Sequence, residues 1–146
     1  SRWRWAVLAY ESNGEVGSIH ARAIGDTKPK TMWPKSCAAG GLLFADTRGV
    51  VFLRGDASAI DSVQVTEGLT DFVAASLWVH RTGRRRAVLG VTSGAAKAFG
   101  QVRWPKEVTC YVGTDNDKDG NGYAVQVRAA LPLWVKVKRQ NLGGTS

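Results

Sequence analysis

From Ser62 to Val137 the chain alternates short, Val-rich apolar runs with segments whose apolar residues recur at helical spacing. No other feature restricts the fold as strongly, because strands separated by crossover helices build a parallel sheet. Ser62 to Thr66 reads as a strand ending at Glu67-Gly68. Thr70 then opens a segment with Phe72, Val73, Leu77 and Trp78 at helical spacing. Asp71, in its first turn, suits the positive end of a helix dipole. Ala87 to Val91 is a second strand, followed by a turn and a short helical stretch over Ala95 to Phe99. Glu107 to Val112 is a third, ending at Gly113-Thr114-Asp115. Tyr123 to Leu131 reads as a helix and Leu133 to Val137 as the fourth strand.

The first third has a different texture. Trp3 to Tyr10 reads as a strand, Ser12-Asn13-Gly14-Glu15 as a turn, and Val16 to Ile24 as the returning strand of a hairpin. Gly25 to Gly49 is irregular, with Pro29, Pro34 and Gly40-Gly41, and Val50 to Leu53 is an apolar run of the kind a sheet buries. The expected division is a small β-rich part over 1–57, an α/β part over 58–140, and a Gly-rich, frayed tail over 141–146.

With 146 residues, 44% hydrophobic and 22% charged, the chain has the size and balance of one ordinary globular domain, which argues against disorder or coiled coil. The net charge of +8 and a pI near 9.9 lean toward a polyanionic partner: DNA, RNA or an anionic membrane surface. No apolar run approaches the roughly 20 residues of a spanning helix, and the start carries no signal-peptide pattern. Insertion in a membrane is therefore not expected. Cys37 and Cys110 lack metal-ligand spacing. Cys110, inside a strand-like run, reads as a buried reduced thiol, which fits a reducing, cytoplasmic compartment.

Five of the twelve acidic residues lie in two short motifs, Glu67-Gly68-Leu69-Thr70-Asp71 and Asp115-Asn116-Asp117-Lys118-Asp119-Gly120. Clustered acids in a basic protein repel one another unless a cation is present. Both motifs come directly after a predicted parallel strand, and ligands of open α/β sheets collect at the carboxyl ends of the strands. Oxygen donors of this kind suit Mg²⁺ or Mn²⁺.

A strand followed by Glu-Gly and a helix, with a later strand ending in Asp-x-Asp-x-x-Gly, resembles the Toprim domain of bacterial-type primases, type IA and type II topoisomerases, and some nucleases and repair proteins. Glu67-Gly68 matches its first motif, and Asp115, Asp117 and Gly120 its second. Asp71 matches an acid that primases carry four positions after the Glu. Gly17 to Ile24, followed by Lys28-Pro29-Lys30, is similar to the segment preceding Toprim in bacterial and phage primases, with Arg22 on a hairpin strand. The resemblance spans about 10–138. Asp119 departs from it, standing where the family usually has a small residue.

The resemblance implies a Rossmann-like Toprim fold, with about four parallel strands flanked by helices, preceded by a small β-rich subdomain. It implies a primase core cut from a longer primase or primase-helicase, making RNA primers from NTPs on single-stranded DNA, with a replicative helicase as partner in cis or in trans. Asp115 and Asp117 would hold Mg²⁺ (or Mn²⁺), and Glu67 would ligate a second ion or act as general base. Asp71 and Asp119 are outer members of the metal set. Arg22, Lys28 and Lys30 would neutralise phosphates, and Arg84 and Arg85 are further candidates for nucleic-acid contact.

Plainer readings stand beside these. Asp115 to Gly120 also fits the start of an EF-hand loop, although position 12 would be Gln126, and it fits a solvated turn. Arg81, Arg84, Arg85 and Arg86 read by default as solvated charge at a helix end. Lys136, Lys138 and Arg139 fit an edge strand guarded against aggregation. His20 and His80 lack ligand spacing and read as surface or packing residues; Trp3, Trp5 and Trp33 read as packing before base stacking. The alternative functions are another Toprim enzyme (a metal-dependent nuclease or a topoisomerase fragment) or a non-catalytic nucleic-acid-binding module.

Overall fold

The computed structural model describes residues 3–23, 31–32, 40–91, 96–114 and 117–141. Lys28, Lys30, Trp33, Cys37, Asp115 and the tail from 142 onward lie outside the described residues.

The chain opens with the expected hairpin. Strands β1 (Trp3–Tyr10) and β2 (Val16–Ala23) pair antiparallel, and β3 (Thr31–Met32) adds to β2. Glu11 and Glu15 close the turn through the Glu11 N–H, which donates to the Glu15 carbonyl at 2.8 Å. Gly14 takes φ +87° there, and a β-carbon on it would stand 2.5 Å from Arg54 Cγ. The turn thus needs glycine for both conformation and space. The hairpin is fastened to the rest by two bonds between Tyr10 and Leu43, at 2.7 and 2.8 Å. Its buried Ala9 joins Leu42, Phe44, Leu69, Phe72 and Val88 in one apolar cluster.

The main sheet has five strands in the order β4-β6-β5-β7-β8, with β4 at Phe44–Ala45, β5 at Ser62–Glu67, β6 at Arg86–Val91, β7 at Thr109–Thr114 and β8 at Lys136–Asn141. The last four are parallel; β4 runs antiparallel to β6 on one edge. Helix α2 (Leu69–Thr82) connects β5 to β6, a 3₁₀ turn (Ala96–Gln101) comes after β6, and α3 (Lys118–Ala130) connects β7 to β8. One sheet face presents Val63, Val65, Ala87, Leu89, Val91, Cys110 and Val112 to a core with Phe52, Phe99, Trp104 and Val127. The alternate positions of β5 are Ser62, Gln64 and Thr66, all buried. Strand β8 is an edge strand with Lys136 and Lys138 exposed, as the charge pattern predicts.

Three elements depart from the sequence expectation. Val50 to Leu53 is helical, within α1 (Thr47–Leu53), and not a strand. Asp46 caps that helix: its Oδ1 accepts from the N–H groups of Gly49 at 2.7 Å and Val88 at 3.0 Å. The cap ties α1 to β6, and the helix turns Phe52 and Leu53 inward while Val51 stays exposed. Helix α3 begins five residues before Tyr123, because the Asp117 side chain accepts from the Gly120 N–H at 2.7 Å. This outweighs the poor helix propensity of Gly120 and Gly122. The fourth parallel strand starts at Lys136 instead of Leu133. Leu133 and Trp134 sit in a turn closed by the Val135 N–H on the Pro132 carbonyl at 3.1 Å, and Arg128 donates to the carbonyls of Leu131, Pro132 and Val135.

Candidate functional site

Strand β5 ends at Glu67, and the chain turns into α2 through Gly68, whose φ of +79° and ψ of 163° belong to a region only glycine occupies readily. The Gly68 N–H donates to the Val91 carbonyl at 2.6 Å, which pins this turn to β6. A β-carbon on Gly68 would meet nothing within 4 Å. Conformation, not space, is what requires the glycine. The sharp turn sets Glu67 and Asp71, one helical turn later, beside the same opening.

Strand β7 lies next to β5 in parallel, with Thr66 opposite Gly113. Its last residue, Thr114, is buried, and Asp117 then caps α3 with Asp119 in the first helical turn. The two strand ends enclose a cleft of about 210 Å³ lined by Glu67, Asp71, Thr114, Asp117, Asp119 and Tyr123, with Gly113 and Gly120. Four of the five acids in the two motifs therefore share one cleft. The fifth, Asp115, falls outside the described residues. Among the described residues, no three His, Cys, Asp or Glu side chains form a group able to hold one metal ion. The helix beginning at Lys118 removes the EF-hand reading, since a strand precedes it and helix occupies the would-be calcium loop.

The sequence presents Tyr123 only as the start of a helix. In the fold it is 4% exposed, and its hydroxyl has no hydrogen-bond partner among the described residues. A buried hydroxyl left without a partner costs about 1–3 kcal/mol. Burial first, then the charges of Glu67, Cys110 and Asp71, push its pKa upward, so the phenol stays protonated. Arg139 of β8 ties the end of β7 to α3, donating from Nε to Thr114 Oγ1 at 2.7 Å and from Nη1 to Asn121 Oδ1.

Arg22 reaches the same neighbourhood from the hairpin: its Nη1 donates to Thr70 Oγ1 at 3.1 Å, in the first turn of α2. Arg84 and Arg85 are elsewhere, just before β6 begins and so at the amino end of the parallel strands. Six-residue strands put roughly 16–20 Å between the two ends of the sheet. Arg85 donates to the carbonyls of Ala59 and Ser58, and the Arg84 guanidinium lies 4.8 Å from the Trp78 ring centre.

The default reading of the arginine run as solvated fails for Arg86, which is buried. Its guanidinium donates to Ser62 Oγ at 3.0 Å, Gln64 Oε1 at 3.2 Å and Gln140 Oε1 at 3.0 Å, and stacks 3.9 Å from the Tyr111 ring centre. Desolvation lowers its pKa. A sequence signal did exist: Arg86 directly abuts the apolar run Ala87 to Val91, and Gln64 lies between Val63 and Val65. Cys110 is free and buried as expected, its thiol pushed up to about 12 by burial. His20 packs edge-on against Phe44 with ring centres 5.4 Å apart, and burial together with the smaller effect of the Arg22 charge lowers its pKa.

No family model matches the chain, and no curated protein sequence does. Solved structures do. A DNA primase domain from Pseudomonas aeruginosa superposes with a TM-score of 0.60 at 20% identity, over 94% of this chain and 42% of that one. The E. coli primase catalytic core gives 0.63 at 16% identity, over 94% and 44%. The primase fragment of the bacteriophage T7 primase-helicase gives 0.57 at 17% identity, over 92% and 51%. The chain thus spans about half or less of the length of these neighbours. No described helix is long and apolar enough to cross a membrane. The five-stranded, mostly parallel sheet flanked by helices, with its small antiparallel sheet, is the fold of the primase catalytic cores.

Proposed function

We propose that the chain is a Toprim-type primase core that makes RNA primers on single-stranded DNA by metal-dependent nucleotidyl transfer. The observation that carries this reading is the convergence of Glu67, Asp71, Asp117 and Asp119 on one cleft at the carboxyl ends of two adjacent parallel strands. The cleft offers carboxylate and hydroxyl oxygens and neither His nor Cys, a donor set suited to Mg²⁺ or Mn²⁺. Asp117 commits Oδ1 to its helix cap, which leaves Oδ2 for an ion. A bound ion would supply the positive charge that offsets negative charge developing on the transferring phosphate.

In this reading Asp115 and Asp117 hold the ion, and Asp71 and Asp119 surround it. Glu67 either ligates a second ion or takes the proton of the attacking 3′-hydroxyl. Arg22, beside the start of α2, neutralises a phosphate of template or nucleotide, as do Lys28 and Lys30. Arg84 and Arg85, at the far end of the sheet, can meet only a strand that runs well beyond the cleft. Two structural neighbours support the choice of partner: a primase catalytic domain bound to single-stranded DNA, and T7 primase domains bound to an RNA/DNA hybrid. A replicative helicase, in cis or in trans, fits the T7 primase-helicase likeness.

The full-length protein is expected to make labelled oligoribonucleotides from NTPs on single-stranded DNA with Mg²⁺ or Mn²⁺. Glu67→Gln and Asp117→Asn should abolish the product. Metal-dependent degradation of the template without RNA synthesis would replace this reading by a nuclease.

A further inference from the structure

The chemistry proposed above uses every acid in the cleft but leaves Tyr123 without a part. Its ring is locked into the core with Cys110, Val112 and Val127, so the hydroxyl cannot swing out to bulk water. Tyr123 nevertheless lines the acidic cleft, and its buried hydroxyl finds no partner among the described residues. A phenol offers one donor and accepts on oxygen, whereas ionised carboxylates only accept. Mg²⁺ dehydrates reluctantly and usually keeps several waters while taking one or two protein carboxylates. Those waters point hydrogens outward and need acceptors around the ion.

We propose that the Tyr123 hydroxyl is a positioning group for a hydrated divalent cation in this cleft, accepting a hydrogen bond from a metal-bound water. The proposal rests on the reading of the cleft as a cation site. Tyr123 contributes no bond to the ion itself. It fixes the orientation of the hydration shell, as outer hydrogen-bond partners commonly do in metal sites.

Mn²⁺ binding to the full-length protein, measured from the electron paramagnetic resonance signal of the free ion, tests this directly. Tyr123→Phe is expected to weaken Mn²⁺ binding about tenfold, and Asp117→Asn to weaken it at least as much. In the wild-type protein labelled at tyrosine ¹³Cζ, the Tyr123 signal should move during a Mg²⁺ titration and saturate with binding. That second measurement decides the matter even where the Phe variant folds poorly. Tight Mn²⁺ binding by both wild type and Tyr123→Phe, with a Tyr123 signal indifferent to Mg²⁺, overturns the Tyr123 role and leaves the metal site standing. Failure of the wild type to bind Mn²⁺ overturns both.

Discussion

Arg22 donates from Nη1 to the hydroxyl of Thr70 at 3.1 Å, so a residue of the amino-terminal hairpin meets the first turn of the helix that carries Asp71. The bond is exposed and contributes little stability by itself, about 0.5–1.5 kcal/mol at most. Its consequence is placement: a fixed positive charge stands beside an acidic cleft. For single-stranded DNA, removing the cation that neutralises one phosphate reduces the salt dependence of log K by about 0.7. Arg22→Ala is expected to weaken DNA binding and flatten the salt dependence by about that amount, whereas Thr70→Val should leave the slope unchanged. Binding isotherms at several salt concentrations check this, and an identical slope for Arg22→Ala removes the residue from the interface.

Gly68 makes a second prediction. Its backbone lies where other residues cost about 1–3 kcal/mol, and no side-chain clash complicates the substitution. Gly68→Ala should destabilise the protein by that amount in urea unfolding. It should also weaken Mn²⁺ binding, since the turn sets Glu67 against Asp71. A stability loss without any change in Mn²⁺ affinity would show that the turn does not govern the cleft.

Asp46 links stability to pH. Its carboxyl pKa is raised, chiefly by burial and in spite of the Val88 and Gly49 N–H donors and the charge of Arg48. An acid with a raised folded pKa contributes stability that is present below the unfolded value of 3.8 and is lost as pH rises through the folded value. Asparagine caps a helix about as well as aspartate and carries no charge. Asp46→Asn should therefore gain stability relative to wild type between about pH 4 and about pH 7, measured by urea unfolding at both. The opposite trend would mean that the N–H donors outweigh burial.

Arg86 holds three side-chain acceptors in a buried setting. Removing it strands the Oε1 atoms of Gln64 and, less sheltered, Gln140, each worth about 1–3 kcal/mol when buried and unpaired, whereas Ser62 keeps its bond to Asp61. Arg86→Ala is expected to cost about 3 kcal/mol, and Arg86→Met combined with Gln64→Leu to recover part of it. Unfolding midpoints within error of wild type for Arg86→Ala would refute the network.

Strands β5, β6 and β7, helix α2 and the positions of the acids could be read from the sequence, because each depends on local periodicity and on the residues just past a strand end. Glu67 and Asp117 lie where a parallel sheet gathers its ligands, so their shared cleft is a consequence of topology. Other features depend on contacts between distant segments. Val50 to Leu53 has a composition that suits a strand as well as a helix, and the Asp46 cap on Val88 decides for helix. Leu133 and Trp134 look like a strand until Arg128 gathers the carbonyls of the turn. Arg86 looks solvated until Gln64 and Gln140, from two other strands, close around it. The Tyr123 hydroxyl acquires its place only when α3 packs its ring into the core. Local spacing encodes which face of an element is apolar, but a polar atom inside finds its partner, or lacks one, only after the sheet assembles.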